Sequence, residues 1–571
     1  MSVTAGDPPE EQHDSGQGDR SDRVSCPLKT ERASTWWMVV SVIAISFVLF
    51  ATALREGHDW GGDYAQYLLH AQAILDGLPY APPPGYVDNP FLPLIPPAYP
   101  PVLPVAYVGL LAVFGLNFVA LKMLTVLSIT IGLFIYWRFL RPSLSPSAAL
   151  GALAFLAFSP YMLKFSNKIL SDIPYIVVSI ATILAGERFF RKKSAVAGAA
   201  FLCGMFVFLG MTRFIGVTLI LAAPIYALLF KRSHLVLTGV ASVLSIVVLN
   251  PLSGGTVSGY VDVVGLDISR MLMWLEGKPQ GYFYNLTRYL AIYPGHNSLL
   301  HPVVNIPVSA IYLGLSALGL VSLVRKHGVR FRDVYVFAYV GALFVYSDAR
   351  LRYLVPIVPL VSLYAFQGLR VVTALVRTQL RQRGLNAGSV RRVFRYRFLL
   401  PTALYAPLFL AYWSHYTFKP VTPEANILKN PDVAGMFDFV RENGDEVSGA
   451  IFDRPRVLSL FTDARATWAF NTEGLFARDV RWDYSMLLEL ADVRDISHLI
   501  LSKTNDATTL TFRPIVTANP DRFQLVYQNP TYSIYQIHPA EAGRAEAESS
   551  NPNTLAYQNR LSMHDGTEIG Q

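Results

Sequence analysis

The sequence predicts an all-α membrane domain of about eleven spans, with interfacial helices in its first outer loop, followed by a small extracytoplasmic α/β domain. Three observations predict it. Of 571 residues, 52% are hydrophobic and only 15% are charged, where soluble domains carry roughly 25% charged residues. Apolar segments recur at 36–54, 101–115, 117–139, 147–165, 172–190, 195–213, 214–230, 234–250, 303–324, 333–347, 353–370 and 398–415. From residue 419 these runs give way to short stretches rich in β-branched and aromatic residues, mixed with an amphipathic helix.

Residues 1–33 are polar and rich in Asp, Glu, Gly and Ser, which predicts a disordered cytoplasmic tail. The run Trp36 to Leu54 is long enough to span and lacks a small-residue cleavage site, so it is expected to stay as the first span. Positive charges sort the later segments. Arg138 and Arg141, then Arg188, Arg191, Lys192 and Lys193, then Lys231 and Arg232, mark three short loops. Arg325, Lys326, Arg330 and Arg332 mark a fourth, and the run from Arg377 to Arg397, with Arg391, Arg392 and Arg395, a fifth. With all five cytoplasmic, the positive-inside rule is obeyed throughout. The net charge of +8 is then a mark of topology and a weak pointer to nucleic acid, which is not an expected partner.

That arrangement leaves no place for 101–115 as a full crossing. It is short, opens with Pro100 and Pro101 and carries Pro104, so a helix dipping into the outer leaflet is expected. The outer side then receives 55–116, 166–172, 251–302, the loop Ser347 to Arg352 and everything after about 416. The expected domains are a membrane domain over 34–418, an outer α/β domain over 419–539 and a disordered tail over 540–571. In the outer domain, Asn430 to Asn443 predicts a helix, and Val447–Phe452, His498–Ser502, Phe523–Tyr527 and Tyr532–Ile537 predict strands. The implied location is a multi-pass plasma or inner membrane protein, with the N-terminus inside and the C-terminal domain outside.

The unusual polar residues all fall on the outer side. In Arg55 to Tyr80 the pattern turns helical at Asp63: Tyr64, Leu68, Ala71 and Leu75 make one apolar face, and Asp63, Tyr67, His70 and Ile74 a neighbouring stripe. Gly77 and Pro79 stop this helix, which is expected to lie on the membrane surface. Asp63 is either an N-terminal partner of the helix dipole or a general base at the membrane–water boundary, where Gly61 and Gly62 permit close approach. Asp172, in Lys168-Ile-Leu-Ser-Asp-Ile-Pro174, is a second candidate acid, with an N-cap role for Ser171 or Asp172 as the plain alternative. Arg213, Arg350 and Arg352 sit at outer ends of spans, against the positive-inside bias. Either they pair with an anion such as a lipid phosphate or they snorkel to head groups. Lys164 and Lys168 read as snorkelling residues.

His58, Asp59, Asp63 and His70 lack a recognised metal motif; a divalent metal is at most a weak expectation, and no cofactor is assigned. Cys26 and Cys203 cannot build a disulfide framework or a thiolate metal site. Asn285-Leu-Thr287 is an outward-facing sequon of a kind common by chance. The absence of a P-loop, a Rossmann fingerprint and a serine elbow argues against nucleotide-fuelled work.

Gly62-Asp63-Tyr64-Ala-Gln-Tyr67-Leu-Leu-His70-Ala-Gln-Ala-Ile-Leu-Asp-Gly77-Leu-Pro79-Tyr80 resembles the first outer loop of the polytopic glycosyltransferases of the GT-C fold. The branch it is most similar to holds the protein O-mannosyltransferases and the aminoarabinose transferase of lipid A. Tyr99-Pro100-Pro101, Leu170-Ser171-Asp172-Ile-Pro174, Thr212-Arg213, Arg352-Tyr353-Leu-Val-Pro356-Ile-Val-Pro359 and Arg454-Pro-Arg456-Val-Leu-Ser-Leu-Phe461-Thr462 resemble later landmarks, in order, across most of 36–538. Tyr64 stands where many relatives carry Glu, and the spacer from Tyr80 to Tyr99 is unusually proline-rich.

The resemblance implies transfer of a hexosyl or pentosyl group from a polyprenyl-phosphate carrier to an acceptor hydroxyl on the outer face. The acceptor would be protein, lipid or polysaccharide. It implies Asp63 as general base of an inverting displacement, Asp172 as a second catalytic carboxylate that orients the acceptor or stabilises an oxocarbenium-like transition state, and Arg352, Arg213 and Tyr353 at the donor phosphate. Asp59, His58, Tyr67, His70 and Tyr99 are expected in support. A lipid-linked sugar transporter and a non-catalytic scaffold that binds polyprenyl phosphate are the alternatives.

Overall fold

A computed structural model describes residues 27–92, 98–191, 196–252, 278–290, 300–345, 350–383, 397–472, 480–504 and 506–538. The tail up to residue 26, most of the outer region 251–302, the arginine run 384–396 and the tail beyond 538 lie outside the described residues.

Five helical stretches among the described residues are long and apolar enough to cross a membrane: Thr35–Thr52, Phe118–Leu140, Arg232–Pro251, Val303–His327 and Leu351–Gln382. A bent pair, Pro146–Ala157 and Pro160–Ser166, makes a sixth if it is one span, with 49° between its halves. Ser159 and Pro160 lie at the bend, where proline cannot continue a helical ladder. The expected count of about eleven is not reached by length and composition alone among the described residues, where Val196–Thr212 and Phe214–Phe230 are shorter apolar helices, as is Val102–Phe114, which the sequence does not predict to cross. Val102–Phe114 has 13 residues and a length of about 20 Å, short of a hydrocarbon core of about 30 Å.

Leu300–His327 and Val358–Gln382 cross in close contact. Glycines make it possible. A Cβ on Gly319 would lie 1.8 Å from the Tyr364 carbonyl oxygen, and one on Gly368 2.0 Å from that of Leu315. The same bundle carries a buried ionic group. Arg332 Nε lies 3.5 Å from Asp333 Oδ1, Arg332 Nη1 lies 3.8 Å from Glu187 Oε1, and the Tyr364 hydroxyl donates to Asp333 Oδ1 at 2.6 Å.

The C-terminal domain holds a five-stranded mixed sheet, β1 (Ala450–Ile451), β2 (Ala466–Thr467), β3 (His498–Ser502), β4 (Phe523–Gln528) and β5 (Tyr532–Ile537), in the order β2-β1-β3-β5-β4. β1 runs parallel to β2 and β3, while β5 is antiparallel to β3 and β4. The four expected strands are present, the first cut from Val447–Phe452 to two residues. β2 is also two residues long, too short to show a period of two in sequence. The expected helix is Pro431–Glu442, capped by Asn430 Oδ1, which accepts from the Asp432 N–H at 3.0 Å.

The first outer loop belongs to this sheet as much as to the membrane domain. Ala466 N–H donates to the Gly85 carbonyl at 2.7 Å and Val87 N–H to the Ala466 carbonyl at 2.9 Å, so the loop extends the β2 edge. Gly85 has φ +72°, and a Cβ there would meet the Ser459 Cβ at 2.6 Å, so glycine is required on both grounds. One apolar core joins Tyr64, Leu68 and Ala71 of the loop helix to Phe118 and Leu121 of a span and to Val433, Phe437, Val457 and Ile534 of the outer domain. The loop helix, Gly62–Leu75, is therefore buried on every side over Tyr64–Ala71 and does not lie with one face open on a membrane surface. It ends as expected at Gly77, with φ +69° and the Leu78 N–H donating to the Ala73 carbonyl at 2.8 Å.

Candidate active site

The start of the Gly62–Leu75 helix places Asp63 against the membrane domain on one side and the outer domain on the other. Gly61 occupies the N-cap position in extended conformation without a side-chain cap, so Asp63 is not the capping residue. Its two oxygens have separate partners. Arg352 Nη1 is paired with Oδ2. The Tyr99 hydroxyl donates to Oδ1 at 2.7 Å, and Arg456 Nη1 lies 3.8 Å from the same oxygen. Burial opposes the charge, but Arg352, then Arg456 and the Tyr99 hydroxyl, outweigh it and hold the Asp63 carboxyl well below the usual carboxylate range.

Asp172 opens the Asp172–Phe189 helix and is 1% exposed. Neither it nor Ser171 caps the helix by its side chain. Instead Arg213 Nη1 lies 2.6 Å from Asp172 Oδ1, in an ion pair that balances a charge otherwise costly to bury. Asp172 keeps Arg213 firmly protonated against its own burial. Arg213 sits in extended backbone between Val196–Thr212 and Phe214–Gly216, which turns its side chain out of both helical ladders.

Tyrosines join the two acid–arginine pairs into one site. The Tyr67 hydroxyl donates to Ser171 Oγ at 2.7 Å, while its ring packs on Tyr99 at 4.9 Å between centroids. The Tyr353 ring lies under both guanidiniums, 5.1 Å from Arg352 and 6.0 Å from Arg213. His70 acts behind Tyr99. Its Nε2 accepts from the Tyr99 backbone N–H at 3.2 Å, and its Nδ1 donates to the Tyr80 carbonyl at 2.7 Å, which fixes the tautomer. Burial lowers His70 to about 4, so the ring is neutral and able to accept at Nε2.

His58 and Asp59 belong to a different group. Asp59 pairs with Lys168 and lies 2.8 Å from His58 Nδ1, and the His58 ring stacks on Tyr64 at 3.8 Å. Lys168 is thus an ion-pair partner and not a snorkelling residue. The group ties the first outer loop to the 166–172 loop. Burial lowers His58 to about 4, with the Asp59 hydrogen bond opposing. Asn285 of the sequon is buried in the Lys278–Tyr289 helix and donates to the Gly281 carbonyl at 3.0 Å, so it offers no free amide. Among the described residues, no three His, Cys, Asp or Glu side chains converge as metal ligands.

Asp63, Asp172, Arg213, Arg352, Tyr353, Tyr67, Tyr99 and His70 therefore come together in the structure. Arg456 is the member that sequence reasoning did not place there. It comes from the Pro455–Thr462 helix, which packs on Gly62–Leu75. Its sequence signals are its place in the Arg454–Thr462 landmark and its position four residues before Leu460, on the apolar face of a short helix.

The family model for dolichyl-phosphate-mannose-protein mannosyltransferase matches residues 98–254, a stretch that includes Tyr99, Asp172 and Arg213. No curated protein sequence matches. Among solved structures, the chain is similar to the archaeal oligosaccharyltransferase AglB from Archaeoglobus fulgidus in complex with an inhibitory peptide and a dolichol-phosphate. The TM-score is 0.52 and the identity 13%, over 82% of this chain and 69% of that one. The same enzyme tethered to an acceptor peptide gives 0.51 and 14%, with the same coverage. ArnT from Cupriavidus metallidurans bound to undecaprenyl phosphate gives 0.48 and 15%, over 88% and 98%. At such identities the likeness is one of fold.

Proposed function

We propose that this chain, a polytopic membrane protein with the GT-C glycosyltransferase fold, moves a sugar from a polyprenyl-phosphate carrier to an acceptor hydroxyl at the extracytoplasmic face. The observation that carries this reading is the charge balance of the site. Three guanidiniums, from Arg213, Arg352 and Arg456, face two carboxylates, from Asp63 and Asp172. The surplus positive charge suits one phosphodiester, the group that links a sugar to a polyprenol. That the matching family model describes a dolichyl-phosphate-mannose enzyme, and that AglB was solved with a dolichol-phosphate, supports the same class of donor.

Asp63 paired to Arg352 is a weak base. A donor phosphate drawing Arg352 toward itself would remove the strongest restraint on that carboxylate and raise its basicity. The acceptor oxygen then attacks the anomeric carbon from the face opposite the phosphate, and its proton passes to Asp63. The bond between the anomeric carbon and the phosphate oxygen breaks with its electron pair on the phosphate, so the anomeric configuration inverts. A phosphate leaves without a general acid, but its growing charge needs fixed cations, and Arg352 and Arg213 across the Tyr353 ring supply them. Asp172 orients Arg213.

The test is to incubate purified protein with a labelled polyprenyl-phosphate sugar and an acceptor fraction. Release of polyprenyl phosphate with label transfer supports the reading, and Arg352→Ala should weaken donor binding. Binding without turnover would make the protein a scaffold, and flux across vesicles would make it a transporter.

A further inference from the structure

We infer that Arg456 is a positioning residue of the transfer site, so that the C-terminal domain braces the Tyr99 hydroxyl that holds one oxygen of Asp63 while Arg352 holds the other. The inference rests on the proposed transfer reaction and deepens it.

Arg456 is 10% exposed at its side chain, whereas Arg454 two residues earlier is 50% exposed. Burying a guanidinium is costly unless it meets charge. Its guanidinium lies over the Tyr99 ring at 5.4 Å, donates to the Tyr99 hydroxyl at 3.1 Å and stands 3.8 Å from Asp63 Oδ1. All three contacts are on the Oδ1 side, opposite the Oδ2 that Arg352 holds. Asp63 Oδ2 is thus held by Arg352, and Oδ1 by the Tyr99 hydroxyl with Arg456 of the C-terminal domain behind it. If the donor phosphate takes Arg352, Oδ2 becomes free to accept a proton while Tyr99 and Arg456 still fix Oδ1. A carboxylate held at one oxygen keeps its aim, and positioning within a fraction of an ångström is where much of a displacement reaction's rate arises.

The element that carries Arg456 is itself clamped to the first outer loop. Ser459 Oγ donates to the Gly85 carbonyl at 2.9 Å, and the chain just beyond the helix pairs with 85–87 at the sheet edge. Planarity explains the choice of arginine. The flat guanidinium rests its face on the Tyr99 ring while its Nη1 reaches the Tyr99 hydroxyl and lies near the carboxylate, a stacked arrangement that a compact lysine ammonium does not reproduce.

The experiment compares wild type, Arg456→Gln and Arg456→Lys in donor turnover across pH. In parallel, infrared difference titration follows the Asp63 carboxyl without any donor, its band identified by its loss in Asp63→Asn. Arg456→Gln should lose about one to two orders of magnitude in kcat, with the donor KM changed by less than about threefold. The acid limb of its rate profile and the Asp63 infrared midpoint should both move to higher pH, because a cation beside the carboxylate is gone. Arg456→Lys should restore much of the midpoint and less of kcat. Wild-type kcat in Arg456→Gln, or a loss of kcat with an unmoved midpoint, would overturn the inference. So would a donor KM that rises in step with the loss, since Arg456 would then be a ligand of the phosphate. A midpoint that moves in a protein showing no wild-type turnover would sink the proposed reaction and leave the grip on Asp63 standing.

Discussion

Tyr99→Phe is the perturbation that separates the site's wiring from its packing. The substitution keeps the ring that stacks on Tyr67 and underlies Arg456, and removes only the hydroxyl. That hydroxyl donates to Asp63 Oδ1 at 2.7 Å and accepts from Arg456 Nη1 at 3.1 Å. Without it, the remaining partner of Oδ1 is Arg456 at 3.8 Å, beyond hydrogen-bond length. A hydrogen bond to a charged group contributes about 1.5–3 kcal/mol, so a carboxylate that works in the transition state should lose roughly 10- to 150-fold in kcat. The pH profile carries a second sign. The Tyr99 bond helps to keep the Asp63 pKa low, and a base acts only above its pKa. Removing the bond raises the pKa and moves the acid limb to higher pH. The assay is steady-state transfer from a labelled polyprenyl-phosphate sugar, with melting temperature as a control for folding. A kcat within about twofold of wild type, with the acid limb unmoved, would refute the view that Tyr99 holds the working carboxylate.

Asp172→Asn leaves Arg213 buried without its counter-charge and should cost about 3–5 kcal/mol, with part recovered in Asp172→Asn/Arg213→Gln. Denaturant unfolding in detergent reads this, and a double variant as unstable as the sum of the singles would count against the pair. His58 and His70 are both lowered from 6.5 to about 4 by burial, so the unfolded chain takes up protons first. Their contribution to stability is complete above pH 6.5 and falls as the pH drops from 6.5 to about 4, and melting curves of His70→Gln should show a shallower fall over that window. Gly85→Ala forces a side chain into φ +72° and onto Ser459, and should destabilise by about 1–3 kcal/mol and loosen the loop from the β2 edge. Unchanged protease sensitivity of the first outer loop would contradict that docking.

The membrane class, the loop helix with its stop at Gly77 and the four outer strands were legible because each rests on local pattern. Asp63, Asp172, Arg213 and Arg352 were legible for another reason. Charged residues at the ends of apolar spans, outside the arginine- and lysine-rich loops, have no cheap structural excuse. What local pattern cannot carry is which surfaces meet. Nothing near Tyr64 or Leu68 in sequence says that the Pro455–Thr462 helix covers them, so the loop helix read as a surface element. Arg456 escaped for the same reason, since an arginine in a soluble-looking domain is ordinarily solvated. Lys168 read as snorkelling because its partner Asp59 lies 109 residues away. The count of spans stayed open because several apolar helices here are shorter than a bilayer core and the sequence shows no sharp limit between the two kinds.

The most direct measurement is single-turnover transfer from a labelled polyprenyl-phosphate sugar by wild type and Asp63→Asn, with the anomeric configuration of the product determined. The account predicts inverted product from wild type and a rate lower by about 10²- to 10⁴-fold in the variant, which still binds donor. Retained configuration, or equal rates from the two proteins, would contradict it.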